Sequence, residues 1–361
     1  MRQEQASSTD ESGEQTTFRQ QLRELLKNGL GWDDSTLDTI INGVQHPSPL
    51  ASSERDGIHR SLIAHAMNLA LLHRLLERVP DGAAYVREKW QGGGKVMLDH
   101  GALRTVRYQR HHEAGLPSGH LAFKRILEPL GYHLAGEYPL EKIRMCGFVY
   151  ASEDLPDSLS QFFVSELYPE QFSEQFQAVV TTILGTEQDP LSSDDDSLLE
   201  QLSEHHVLPM NDAVKLLPKL VGCFERYHEL PSLEDYHLLK TESREMAWIS
   251  TEGNVFNHAT DRVDDIKAVE AVQREKGRAI KPEIEVARHA KVQQTAFHAA
   301  PVSRPMTSVE QAQPSEDALW VPGSFFEFIQ RGEIVDNEGR RSLDLRFDSS
   351  NAQGIFRMTS S

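Results

Sequence analysis

Three side chains in this sequence stand where their chemistry is costly unless it is used. His100 lies inside LDHGALRTV (Leu98 to Val106), an apolar run that reads as a strand. A histidine buried there must hydrogen-bond, ligate a metal, or bear a penalty on the order of a few kcal/mol. Gly101 and Ala102 are small and leave room beside it. Arg104 follows four positions on, and even spacing in a strand puts both side chains on one face. An imidazole and a guanidinium on one inward face suit the joint holding of a metal and an anionic substrate. His258 sits at an apolar strand end in TEGNVFNHATDRV (251–263), again among small and polar residues. Glu327 sits between aromatics in GSFFEFI (323–329), and a carboxylate buried there needs a partner. Two histidines and one carboxylate with open positions form a set that suits non-haem Fe(II). The same residues also fit a buried structural network without a metal, because their wide separation carries no local signature.

The other chemistry-bearing residues have plainer readings. His111 and His112 fall in a polar run after the strand, and His205 and His206 follow an acidic helix; both pairs read as solvated. Cys146 and Cys223 are flanked by apolar residues and form no CxxC pair, so they read as buried, inert thiols. No GxxxxGK[ST], GxGxxG, HExxH or GxSxG pattern is present. A catalytic metal must therefore be held by histidine and carboxylate.

The elements that would carry these groups are legible in outline. Residues 1–16 read as a disordered tail, rich in Gln, Ser and Glu. Residues 17–90 read as a helical lobe, with a strongly amphipathic helix from Ile58 to Val79 ended by Pro80-Asp81-Gly82. From Gly92-Gly93-Gly94 the character changes, and residues 91–361 read as a β-rich catalytic region with helical insertions. Strands are expected over 96–108 and 143–150, and helices over 119–130 and 172–184. Helices early and strands later predict an α+β fold.

Composition narrows the partners. Among 361 residues, 37 Lys and Arg stand against 55 Asp and Glu, a formal charge of −18. That balance argues against nucleic acid and anionic membranes, though not against a local basic pocket. The most apolar stretch, Ile63 to Leu76, is too short and too polar to span a bilayer. The N-terminus carries no apolar signal-peptide core, so a cytoplasmic setting is expected.

Several motifs in order carry a family resemblance. DHGALRTV (99–106), RMCGFVYASEDLPDSLSQFFVSEL (144–167), AWISTEGNVFNHATDRVDD (247–265), QTAF (294–297), FFEFIQRG (325–332) and NAQGIF (351–356) together resemble the 2-oxoadipate dioxygenase/decarboxylase family. The resemblance covers the chain from about Thr17 onward and is closest to the family's shorter members. It implies a half-open mixed β-sheet barrel of the vicinal-oxygen-chelate kind, related to hydroxymandelate synthase. It implies an Fe(II) site held by His100, His258 and Glu327, with Arg104 on a substrate carboxylate. It places Ser350 and Asn351 at the substrate, where longer members carry a different pair. Asn257 and Gln294 are then candidates for orienting the ligands. The implied reaction uses O2 and a 2-oxo acid, converting 2-oxoadipate to 2-hydroxyglutarate and CO2, in lysine catabolism. Two other readings remain at this point. One is a redox-silent metal-dependent isomerase or lyase on the same scaffold, and the other a non-enzymatic partner-binding protein built on the helix from Ile58 to Val79.

Overall fold

The computed structural model describes residues 2–48, 57–109, 117–307, 314–335 and 338–348. Ser350, Asn351, His111 and His112 lie outside the described residues. The helix α1 (Arg2–Leu30) runs through the segment read from composition as a tail, and its packed face includes Phe18, Leu22, Leu25 and Leu26. Asp33 caps α2 (Asp34–Gly43), its carboxylate accepting from the Thr36 amide at 2.7 Å. The expected central helix is α3 (Arg60–Arg78), buried on all sides along its first three turns. Pro80 opens a further helix, α4 (Pro80–Gln91), where the sequence suggests only a stop. Proline lacks the N–H that a first helical position leaves unpaired anyway, so one residue both ends and starts a helix. These helices share one hydrophobic core with the helices Ser193–His205 and Met210–Gly222 and with one face of the main sheet. No helix among the described residues is long and apolar enough to cross a membrane.

The strands in chain order are β1 (Ile58–His59), β2 (Leu98–Val106), β3 (Tyr132–Leu140), β4 (Met145–Ser152), β5 (Gln161–Leu167), β6 (Val207–Leu208) and β7 (Phe256–Arg262). They continue with β8 (Glu285–Val286), β9 (Val292–Ala296), β10 (Pro301–Thr307), β11 (Pro314–Pro322), β12 (Phe325–Arg331), β13 (Glu333–Val335) and β14 (Arg341–Leu343). Eight of them form one mixed sheet in the order β3-β4-β5-β2-β7-β12-β9-β8, curled into a half-barrel. The fold is α+β, as expected.

The strand order hides a duplication. In the first half, β2 runs parallel to β5, which continues antiparallel through β4 to β3. In the second half, β7 runs parallel to β12, which continues antiparallel through β9 to β8. The leading strands of the two halves, β2 and β7, pair antiparallel at the centre. Both faces of this centre are covered. Behind it lies the core just described; in front lies a second core built with the helices Glu174–Leu184, Leu233–Glu242 and Arg244–Glu252. Every residue of β2, β4 and β5 is therefore buried, and β4 accordingly reads as a near-continuous apolar run.

One buried pair in the N-terminal helices makes stability pH-dependent. His46 Nδ1 and His65 Nε2 lie 2.9 Å apart, and the His46 ring also bonds the Ile41 carbonyl. Burial holds His65 well below its ordinary value and His46 down to about 4, from about 6.5. As the pH falls from about 6.5 toward 4, the unfolded chain takes up protons that the folded chain refuses. Stability present above that window is therefore lost through it. Urea unfolding at a series of pH values is expected to show this loss, with a shallower slope in His46→Gln.

Candidate metal centre

The central strands bring the three suspect residues together, and they need an irregularity to do so. On β2, Ala102 belongs to the front core and Leu103 to the back core, so His100 and Arg104 share the front face with Ala102. On β7, Phe256 packs behind the sheet against Phe162 and Phe224, with ring centroids 5.8 and 5.5 Å away. Strict alternation would send His258 to the same back face. The register jumps there, with Ala102 opposite His258 but Leu103 opposite Phe256. Asn257 is the extra residue of a bulge, and the bulge turns His258 to the front. Gly101 is required behind it, because a Cβ at that position would stand 2.2 Å from the Phe256 ring. On β12, Phe326 and Phe328 fill the back core while Phe325 and Glu327 face forward. Phe325 stacks on the His258 ring at 4.8 Å.

The donor atoms converge. Glu327 Oε2 lies 3.0 Å from His258 Nε2 and 3.5 Å from His100 Nε2, and the two nitrogens are 3.4 Å apart. Donors about 2.1 Å from one ion and at right angles to each other stand about 3 Å apart. Among the described residues this is the one cluster of three or more His, Cys, Asp or Glu with such spacing. All three are buried. The groups around them fix their orientation. Gln294 on β9 donates to Glu327 Oε1 at 2.9 Å, and Thr260 donates to Oε2 at 3.0 Å. Thr260 Oγ1 also lies 3.2 Å from His100 Nε2. Burial alone would raise the Glu327 carboxyl, but His258 and His100 hold it well below the usual carboxylate range. Burial keeps His258 below its ordinary value, despite the pull of Glu327. An anionic carboxylate and a neutral imidazole are the forms that bind a metal.

Behind His100 stands a carboxylate that sequence reasoning missed. Asp99 Oδ1 accepts from His100 Nδ1 at 2.9 Å, which points Nε2 at the centre. Asp99 is also gripped by Arg331, through Nε and Nη2 at 2.8–3.1 Å, and by Arg262 Nε at 2.6 Å. Burial works against its charge, but these partners hold it well below the usual range. Arg331 reaches further, donating to the carbonyls of Asp344 and Arg346 at 2.8 and 3.0 Å. Its guanidinium lies 5.0 Å from the Phe347 ring, whose edge meets the His100 ring at 4.9 Å. The available signal is a charged residue at the far end of each ligand strand, Asp99 before His100 and Arg331 after Glu327.

The remaining candidates divide. Arg104 is fully buried on the front face, its guanidinium 4.9 Å from the Trp248 ring. Burial pushes it down to about 10, and Glu245 opposes the shift. Gln294 touches the triad through its bond to Glu327. Asn257 sits buried at the bulge, and its Oδ1 has no hydrogen-bond partner among the described residues.

A mixed half-barrel with two imidazoles and a carboxylate converging on its central strands defines an α+β protein with a candidate mononuclear metal centre. The model of the 2-oxoadipate dioxygenase/decarboxylase family matches residues 69–357, and the chain belongs to that family. It is an enzyme of that type. A glyoxalase-superfamily protein from Ralstonia eutropha JMP134 is 44% identical, with a TM-score of 0.84 over 91% of this chain and 98% of that one. The hydroxyglutarate synthase of Oryza sativa, solved in complex with 2-oxoadipate, shares the fold at 17% identity, with a TM-score of 0.64 over 87% of this chain and 98% of that one. A Shigella flexneri protein containing a domain of unknown function is similar at 21% identity and a TM-score of 0.60, over 83% and 84% of the two chains. No curated protein sequence matches significantly.

Breaking the Asp99 network tests its weight in the fold. Removing one partner of a buried ion pair typically costs about 3–5 kcal/mol. Asp99→Asn is expected to lower the metal-free unfolding free energy by about that amount, read by urea denaturation. An unchanged midpoint would show that the network holds nothing together.

Proposed function

We propose that the chain is an Fe(II)-dependent oxygenase that oxidatively decarboxylates and hydroxylates a 2-oxo acid, with 2-oxoadipate the first candidate. The observation that carries this reading is the convergence of His100, His258 and Glu327 on the sheet face that also holds Arg104. The balance closes with one O2: 2-oxoadipate and O2 give 2-hydroxyglutarate and CO2. Bound Fe(II) would supply electrons and a common template for the oxo acid and O2.

The chain's own residues do the rest. His100 and His258 present Nε2, the first oriented by Asp99 and the second by stacking on Phe325. Gln294 and Thr260 hold the Glu327 carboxylate in place. Arg104 holds a substrate carboxylate, and its burial strengthens that charge-assisted contact. Phe347 covers the edge of His100, and Asp348, bonded to the amides of Arg288 and His289, anchors the chain just before Ser350 and Asn351. Those two residues complete the substrate site in this reading. A cytoplasmic setting and a place in lysine catabolism go with it.

Anaerobic reconstitution with Fe(II), followed by O2 uptake across a panel of 2-oxo acids, tests the reading. Coupled O2 consumption and CO2 release are expected with 2-oxoadipate, and their loss in His258→Ala. Metal binding without O2 uptake on any member would instead favour a redox-silent isomerase or lyase. Arg104→Gln is expected to raise KM by about 10-fold or more, since a charge-assisted hydrogen bond contributes about 1.5–3 kcal/mol. Initial rates across substrate concentration check this, and an unchanged KM would remove Arg104 from substrate binding.

A further inference from the structure

A cavity of about 640 Å³ lies apart from the triad residues, lined by α3, the chain around Phe224 to Arg226, the end of the helix Arg244–Glu252, and Arg304 on β10. Its volume falls within the usual range for metabolite sites, about 300–1,000 Å³. Its lining is unusual for a chain of charge −18. Arg74, Arg78, Arg226 and Arg304 all face it. Arg74 pairs with Glu225 at its rim. The other three surround a single carboxylate, Glu252, whose side chain is fully buried. Arg304 binds it with Nε and Nη2, each at 2.8 Å, and Arg78 donates to the same group. Arg226 makes no ion pair among the described residues and donates only to the His228 carbonyl. Three guanidiniums around one carboxylate leave a local excess of two positive charges, which Glu77 reduces to one over the whole lining.

That excess is held at a cost. Burial lowers both Arg78 and Arg226, and Arg226 is lowered further by Arg304. A folded chain with net negative charge has no long-range need of such a cluster, and a second anion in the cavity would neutralise it. The guanidinium fork matches planar and tetrahedral oxyanions bidentately. The side chains of Arg78 and Arg304 remain 24% and 29% exposed, so the cluster is reachable from water.

We propose that this cavity is a binding site for the carboxylate or phosphate group of a small metabolite, read by Arg226, Arg304 and Arg78. It is separate from Arg104, which faces the candidate metal centre, and does not depend on the reaction proposed above.

The test uses the full chain and two probes, inorganic phosphate and glutarate, each titrated by calorimetry at constant ionic strength against chloride. Saturable binding with one site per chain is expected for at least one probe. Tighter binding of phosphate assigns a phosphorylated ligand; tighter binding of glutarate assigns a dicarboxylate. Arg226→Gln is expected to weaken binding at least 10-fold, while Arg226→Lys, which keeps the charge, weakens it less. Glu252→Gln removes the competing carboxylate and is expected to tighten binding several-fold, a change of opposite sign that loss of folding cannot mimic. Absence of saturable binding for both probes would overturn the proposal. So would binding that survives Arg226→Gln but is lost in Arg104→Gln, because the anion would then sit at the metal face.

Discussion

The buried carboxylate of Asp99 is the constraint on which the rest of the site depends. It holds the proton side of His100, and three donors from two other strands close on it. An isolated charge of this kind would be prohibitively costly in the interior, so the carboxylate and its partners must be buried together or not at all. Arg331 and Arg262 come from β12 and β7, the two strands that carry Glu327 and His258. Satisfying Asp99 therefore sets the register of all three strands that carry the triad at once. Arg331 adds the carbonyls of Asp344 and Arg346, so the segment that ends beside His100 is fixed by the same ion pair.

The duplicated half-sheet explains why His100, His258 and Glu327 meet at all. Each half begins with a strand that runs parallel to a later strand of the same half, and the two first strands pair at the centre. A histidine on each first strand is thus carried to the middle from far apart in sequence. The halves are not equal in what they contribute. In the second half, β12 places Glu327 beside Thr260 on β7; in the first, β5 places Phe163 in the front core beside β2. One half supplies two donors and the other supplies one donor and an apolar wall.

Much of this is legible in the sequence. His100, His258 and Glu327 stand out because each places a costly group in an apolar strand, and Arg104 follows from strand periodicity. The α+β class and the principal helices follow from hydrophobic spacing. What escapes such a reading has identifiable physical causes. The bulge at Asn257 is a one-residue register change, and nothing in local composition distinguishes it from an ordinary strand. The duplication is one of topology, while the two halves share too little sequence to show a period. The strand Tyr132–Leu140 lies at a sheet edge, with mostly exposed or half-buried residues, and lacks the apolar run that marks its neighbours. Asp99 reads as a strand-end charge because its partner Arg331 is remote in sequence, and only their pairing makes the burial of either one tolerable.

Net charge and local field are separate quantities in this molecule. A formal charge of −18 sets the long-range potential and repels polyanions, but salt screens that repulsion within about 8–10 Å. A small oxyanion that crosses this distance meets a different balance. On the front face the buried Arg104 acts through a medium far less polarisable than water, so a single guanidinium outweighs many surface carboxylates. At the cavity beside Glu252 the arginines outnumber the acid they surround. Composition is therefore a sound argument against phosphate backbones and a poor one against small carboxylates. The acidic surface disfavours anions of large size and high charge density, and the guanidiniums at Arg104 and beside Glu252 are the local field that a small anion would meet.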